Sequence, residues 1–378
     1  MKFRFNVRLF SQIAVLVIIF VLVFLHQNYG IESAAPIHAY CPFGALEGMF
    51  TYIFTGQFIM KLYWSNFILL WIFVLLTIVF GRVFCGYFCP LGAITERLRR
   101  LGKMIWIKKD VELPVWLDTY FRYLKYLVLF LIVYFSFRYT ALVFDTYDPF
   151  SALAHLGNEF DERIFAYSIL WFVLITSLFS KGRWCRYLCP LGAFFALLNK
   201  INFFKLTRNQ NTCTACGSCN RVCPANLNIK ESVQITHPDC ISCMECVTDC
   251  PHSSLGIHIL WKSIKKRTFM WLVVGLFFWI LLVFMQTPLW KTKPNSNIVS
   301  SSWVVHVEGI RWSNTLQYVI KETWVPFRYF QETLNLPQDI DQTMKLKDIW
   351  VTYDLKNISW TVLETEDFRA VIQNYTTQ

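Results

Sequence analysis

The stretch CTACGSCNRVCP, residues 213–224, returns as CISCMECVTDCP at residues 240–251. Both copies read Cys-x2-Cys-x2-Cys-x3-Cys-Pro, and long apolar segments lie on either side of the pair. Eight of the chain's 13 cysteines fall within these two stretches. A loop with two residues between neighbouring thiols brings three of them around one centre. The fourth thiol, just before the proline, is free to reach a second centre.

This is the run with which two-cluster ferredoxins hold their iron, three cysteines on one cubane and the fourth on the other. One 4Fe-4S cluster is expected on Cys213, Cys216, Cys219 and Cys250, the second on Cys240, Cys243, Cys246 and Cys223. Pro224 and Pro251 then turn the chain away. Disulfides are disfavoured in the reducing compartment implied by the charge pattern below. Zinc sites lack a Cys-x2-Cys-x2-Cys run followed by Cys-Pro.

The rest of the chain is built for lipid. Residues are 55% hydrophobic and only 16% charged, where soluble domains carry about a quarter charged residues. Apolar runs at Leu9–His26, Leu62–Phe84, Phe121–Phe137, Ile164–Ser180 and Thr268–Met285 are each near the ~20 residues needed to cross hydrocarbon. Five spans are expected. The first run is expected to remain as an anchor, since no small-residue cleavage site follows its apolar region.

Charge sets the expected orientation. Lys2, Arg4 and Arg8 precede the first run, and Arg97, Arg99, Arg100, Lys103, Lys108 and Lys109 follow the second. Lys181, Arg183 and Arg186 follow the fourth, and Lys262, Lys265, Lys266 and Arg267 precede the fifth. The alternate loops carry Glu32, Glu47, Asp145, Asp148, Glu159, Asp161 and Glu162. The positive-inside rule therefore places the N-terminus and residues 181–267 in the cytoplasm of a multi-pass inner-membrane protein. Much of the net charge of +11 is a topology signal, and no basic stripe on a soluble domain points to nucleic acid.

The membrane part repeats itself. GRVFCGYFCPLGAITERL at 81–98 answers GRWCRYLCPLGAFFALL at 182–198, and CPFGALEG at 41–48 answers DPFSALAH at 148–155. Such a duplication implies a pseudo-twofold axis, which would bring Cys85 and Cys89 toward Cys185 and Cys189. At i and i+4 on a helix each pair shares a face, and proline is tolerated where a following helix starts. Four such thiols fit a metal, a third cluster, a redox dithiol, or close packing of helices. Cys41 stands apart, and a lone cysteine is more often structural than catalytic. A quinol site needs a proton acceptor beside an apolar slot; His38, His155, Glu47 and Asp148 are the candidates, with capping and loop solvation as the alternative.

The paired Cys-x3-Cys-Pro-Leu-Gly-Ala units followed by two ferredoxin motifs resemble the membrane-bound polyferredoxins. That family includes NapH-type quinol dehydrogenase subunits, the membrane iron-sulfur portion of the NosR regulator and CcoG-type proteins. The resemblance covers residues 1 to about 260. It implies an oxidoreductase subunit relaying electrons between quinone and a protein partner, with Cys85, Cys89, Cys185 and Cys189 as membrane redox cysteines. The alternatives are a CcoG-like copper reductase or assembly factor, and a redox-sensing scaffold. Two departures stand out: no flavin-binding domain precedes the spans, and no sandwich-type C-terminal domain is evident.

The expected fold is an all-α polytopic membrane protein with a cytoplasmic double-cluster ferredoxin domain. The expected divisions are a first membrane repeat at 1–110, a second at 111–205, the ferredoxin domain at 206–260, a fifth span at 261–290, and a small, mostly helical extracytoplasmic domain at 291–378. That last domain contains no cysteine and is suited to docking a partner on the outer face. In it WVVHVEGI reads as a strand, and TLQYVIKE, RYFQETLN, TMKLKDIWVTY and EDFRAVIQNY read as short helices; His306 stands alone. No haem attachment motif, nucleotide-binding glycine turn or P-loop occurs, so the chain is expected to be one link in a relay.

Overall fold

A computed structural model describes residues 7–29, 34–56, 59, 62–105, 110–155, 163–290, 307, 310, 314–337, 339–353 and 365–376. Lys2, Arg4, Glu32, Lys108, Lys109, Glu159, Asp161, Glu162, His306 and the side chain of His38 lie outside the described residues. So does the strand expected over residues 303–310, apart from positions 307 and 310. The chain divides into two compact units, Met1–Thr292 and Lys293–Gln378.

In the first unit each of the two expected membrane repeats holds two long helices, with two short ones in the first and three in the second. The first repeat contains α1 (Val7–Tyr29), α2 (Pro42–Thr55), α3 (Trp64–Phe80) and α4 (Pro90–Met104). The second contains α5 (Val115–Tyr139), α6 (Pro149–His155), α7 (Ile164–Phe179), the short turn of helix α8 (Arg183–Tyr187) and α9 (Pro190–Leu198). The short helices α2, α4, α6 and α9 all begin at a proline, where the missing N–H is one the helix would leave unpaired anyway. The repeats interlock: α4 packs on α7, α9 on α3 and α5, and α2 on α5.

Among the described residues, three helices are long and apolar enough to cross a membrane: Val7–Asn28, Trp116–Tyr139 and Lys266–Met285, the last being α12. The other two expected spans are shorter. α3 has 17 residues and α7 has 16, below the ~20 of a full crossing. Gly81, with φ +79°, ends α3 before the Phe84 limit read from hydropathy. Phe24, Trp71, Phe130, Trp171 and Trp279 all point outward, an apolar surface of the kind that marks a membrane or partner interface.

The double-cysteine segment follows α9 and is folded onto the helices. β1 (Phe204–Arg208), β2 (Gln234–Ile235), β3 (Leu255–Ile259) and β4 (Lys262–Ser263) form an antiparallel sheet in the order β2-β1-β3-β4. β1 and β3 run in register from Phe204 opposite Ile259 to Arg208 opposite Leu255. The short helices α10 (Ser218–Val222) and α11 (Glu245–Thr248) pack together. Phe73, Phe84, Phe195 and Phe277 share one apolar core with Phe204, Leu206, Ile257, Cys223 and Cys246. The ring centroids of Phe73 and Phe84 are 4.5 Å apart, edge to face, an arrangement that adds about 1 kcal/mol beyond burial.

The second unit holds α13 (Leu316–Thr323), α14 (Phe327–Leu334), α15 (Leu346–Tyr353) and α16 (Thr365–Thr376), at the four segments whose apolar spacing predicts helices. Phe330, Ile349 and Phe368 are fully buried between them.

Candidate functional site

Two small cavities lie in the sheet-bearing segment. One is lined by Cys213, Cys216, Cys219 and Cys250, the other by Cys223, Cys240, Cys243 and Cys246. Each cavity thus gathers three thiols from one motif and the fourth from the other.

The backbone repeats as the sequence does. Positive φ occurs at Ala215 and Ser242, Gly217 and Met244, and Asn226 and Ser253, each pair 27 residues apart. Left-handed backbone costs a non-glycine residue about 1–2 kcal/mol. The cysteine loops therefore hold a shape that their own local preferences oppose, as expected where backbone wraps a bound group.

The two thiol sets differ in surroundings. Cys216 is exposed, whereas Cys223 and Cys246 are buried. The Ala215 N–H and Arg208 hold Cys213 below the ordinary thiol range. Burial pushes Cys240 up to about 11 and raises Cys223, Cys243 and Cys246 as well. Buried thiols of that kind become thiolates only when a cation draws off the proton. Four of them around one cavity fit an iron cluster, which supplies that charge. Among the described residues, no three His, Cys, Asp or Glu side chains are arranged to hold a single metal ion.

The membrane cysteines also converge, but not as two residues on one helical face. Cys85 lies in a single π-helical turn, Phe84–Phe88, and Cys89 is the cap that follows it. Cys185 lies in α8, and Cys189 caps α9. The reason is the proline: the residue before it is steered out of helical backbone, and Cys89 and Cys189 have ψ of 115° and 114°. Each caps the next helix through sulfur. Gly92 N–H donates to Cys89 Sγ at 3.4 Å and Gly192 N–H to Cys189 Sγ at 3.3 Å. Cys85, Cys185 and Cys189 all lie close enough to act electrostatically on Cys89.

The buried cysteine cavity abuts this turn. A Cβ on Gly86 would come within 2.5 Å of the Ile241 carbonyl oxygen and 3.8 Å of Cys243 Cα. Around the contact lies a network of buried charges. Arg82 donates from Nε to Cys85 Sγ at 3.2 Å and from Nη1 to Asp239 at 3.4 Å. Asp239 also pairs with Arg122 at 2.9 Å and with Lys125. Burial alone would raise the Asp239 carboxyl; Arg82 and Lys125 hold it down to about 2. Arg8 bridges Glu96 at 2.6 Å and Glu245 at 2.8 Å, and its Nε donates to the Gly86 carbonyl. The Asn199 amide donates to the Pro238 and Cys240 carbonyls at 3.1 and 3.2 Å. Sequence reading misses Arg82, Lys125 and Asp239, although Arg82 belongs to the repeated Gly-Arg that opens both Cys-x3-Cys units.

At the other end of the helices, Cys41, Glu47, Asp145 and Asp148 line a third small cavity. Glu47 is buried and accepts from Ser136 Oγ at 2.6 Å and the Phe144 N–H at 3.1 Å. Asp148 caps α6 by accepting the Phe150 N–H at 2.9 Å. His155 Nδ1 lies 2.7 Å from the Ser151 carbonyl of its own helix. Of the proposed proton acceptors, Glu47 and Asp148 share this cavity.

Two protein-family models match the chain. One, described as a 4Fe-4S binding domain, covers residues 62–113, and the other, a 4Fe-4S dicluster domain, covers 184–255. The chain is 29% identical to the YccM protein of Escherichia coli over 68% of its own length and 75% of that protein's. It is 33% identical to an uncharacterized protein of Methanocaldococcus jannaschii, over 59% of this chain and 88% of the other. It is 27% identical to the ferredoxin-type protein NapH of Escherichia coli, over 51% of this chain and 69% of that one. No solved structure matches. With paired Cys-x3-Cys-Pro turns beside two cavities of four thiols, the chain belongs to the NapH-type family of membrane polyferredoxins and is an iron-sulfur electron-transfer protein.

Proposed function

We propose that the chain passes single electrons between the membrane quinone pool and a redox protein partner, as the quinol dehydrogenase subunit of a membrane complex. When bound, 4Fe-4S clusters supply one-electron storage at potentials set by hydrogen bonds, charge and exposure. Cys213, Cys216, Cys219 and Cys250 hold the cluster nearer solvent; Cys223, Cys240, Cys243 and Cys246 hold the one against the helices. The observation that carries the reading is the close approach of Gly86 to Ile241, which sets the buried thiols against the turn bearing Cys85.

Cys85, Cys89, Cys185 and Cys189 are proposed to hold a third cluster. The family model over residues 62–113, described as 4Fe-4S binding, includes Cys85 and Cys89 as its cysteines, which supports this assignment. Arg82 donates a hydrogen bond to the set through Cys85. Glu47, in its buried cavity, is the proposed proton acceptor, since a quinol releases two protons with its two electrons. The distribution of basic residues supports a cytoplasmic side for the cysteine cavities and an outer side for residues 291–378, which would serve there to dock a partner.

The test is an anaerobic iron and sulfide count, followed by a low-temperature EPR titration with and without a menaquinol analogue. About eight irons with quinol-responsive signals support the relay with two clusters, and about twelve add the third. Signals that respond to no quinol or quinone overturn the quinone link.

A further inference from the structure

We infer that the hairpin between β3 and β4 dips into the lipid leaflet at the start of α12, on a surface suited to anionic headgroups. A two-residue loop, Leu260 and Trp261, joins Ile259 to its cross-strand partner Lys262. Trp261 is 95% exposed and Leu260 58%. Leu260 also has φ +54°, left-handed backbone that its Cβ opposes, and loops of this length favour glycine or asparagine at such a position. Two large apolar side chains thus stand at a tip whose turn geometry does not call for them and whose core does not bury them.

What covers the tip follows from its position. The Leu260 N–H donates to the Phe203 carbonyl at 3.1 Å, and the Phe203 N–H donates to the Ile78 carbonyl of α3 at 2.8 Å. The tip is therefore two hydrogen bonds from the last turn of α3, and α12 begins at Lys266, five residues beyond Trp261. Leu197, Ile201 and Phe203 are exposed as well, so the apolar surface of the helices continues onto the sheet. The same two segments expose Lys200, Lys262, Lys265 and Arg267. No acidic residue occurs at 197–208 or 255–268, and among the described residues none of these four cations is ion-paired. Tryptophan is enriched at the membrane–water interface, and lysine and arginine there attract anionic lipid. An open hairpin cannot cross hydrocarbon, so the tip rests at headgroup depth. The leaflet then fixes the height of the sheet and of the cysteine loop that precedes β3. The inference rests on the reading of α12 as a span.

The experiment places a photoreactive benzoylphenylalanine at position 261 of the full holoprotein, and in separate proteins at 279 and 233. Trp279 points outward on α12, and Val233 is exposed beside β2, at the far edge of the sheet. Each protein is irradiated anaerobically in nanodiscs of phosphatidylcholine and phosphatidylglycerol, and mass spectrometry of the labelled peptides reads the adducts. Lipid adducts are expected at 261 and 279 and not at 233. At 261 phosphatidylglycerol should be enriched roughly fivefold over its share of the bilayer, the attraction of about one surface lysine. The variant K200Q/K262Q/K265Q/R267Q should return it to that share with an unchanged iron count. Lipid adducts at 279 with none at 261 overturn the inference and leave the span standing; none at either position overturns both. An adduct from 261 to a second copy of the chain assigns the tip to a protein contact and overturns it too. Equal enrichment in the charge variant overturns the anionic preference. The readout needs no electron transfer, so it stands apart from the quinone link.

Discussion

Arg82 Nε donates to Cys85 Sγ at 3.2 Å, while Nη1 of the same guanidinium faces Asp239 at 3.4 Å. Asp239 immediately precedes Cys240, so one side chain ties the membrane thiols to the loop of the buried cysteine cavity. Removing one partner of a buried ion pair leaves its counterion without compensation, at about 3–5 kcal/mol. Arg122 and Lys125 still face Asp239, so R82M should fall at the low end, about 3 kcal/mol. R82K should lose less. Thermal bleaching of the cluster absorbance measures both, and a midpoint for R82M equal to wild type would show that the network does not hold the two parts together.

The exposure difference between the cysteine sets predicts an order of attack. Cys216 is exposed and Cys246 buried, so an iron chelator or mild oxidant should strip the solvent-side cluster first. C216S should lose about four irons and leave the helices undisturbed. C243S should lose a similar amount and also loosen the contact at Gly86, because Cys243 Cα borders that glycine. Iron counts combined with limited proteolysis separate the two effects. Simultaneous loss of both clusters at one rate would contradict the order.

The cysteine spacing and the duplicated Cys-Pro turns are legible in the sequence because each is a local signal. The grouping of Cys250 with the first motif's cavity, and of Cys223 with the second's, follows the expected spacing. Helix lengths are less legible. Hydropathy continues through Val83 and Phe84, whereas the backbone breaks at Gly81, so α3 stops short of the apolar run. Spacing alone puts Cys85 and Cys89 on one helical face, although Pro90 already forbids it by steering Cys89 into extended backbone. Asp239, Lys125 and Arg82 are illegible as a group. They are 43 or more residues apart, and an ion pair across such separations leaves no local pattern.

Gly86 tests the junction directly. A Cβ there would meet the Ile241 carbonyl oxygen at 2.5 Å, a backbone atom that cannot swing aside. G86A should therefore destabilise the protein by about 1–3 kcal/mol through overpacking and slow the re-reduction of the buried cluster. Gly275, in α12, faces open space, and a methyl group added there would have nothing within 4 Å. G275A should be neutral, or stabilising by up to ~1 kcal/mol from helix propensity. Thermal midpoints of the two variants, measured side by side, check the contrast; similar values for both would show that the loops separate freely.

His237 gives the junction a pH dependence. Its Nδ1 accepts the Asp239 N–H at 3.1 Å, which only the neutral ring can do. Burial lowers its pKa below the ordinary 6.5; Asp239 opposes the shift, while Arg122 and Lys125 add to it. The folded state thus holds the proton less tightly than the unfolded chain. By linkage, this contribution to stability is fully present above about pH 6.5 and is lost as pH falls from there through the folded-state value. Cluster bleaching should accelerate over the interval below about pH 6.5 in the wild type. H237Q offers an amide oxygen that accepts the same N–H and does not titrate, so its bleaching rate should vary less across that interval. Equal slopes for the two proteins would place the acid sensitivity elsewhere, in the exposed cysteine set around Cys213 and Cys216.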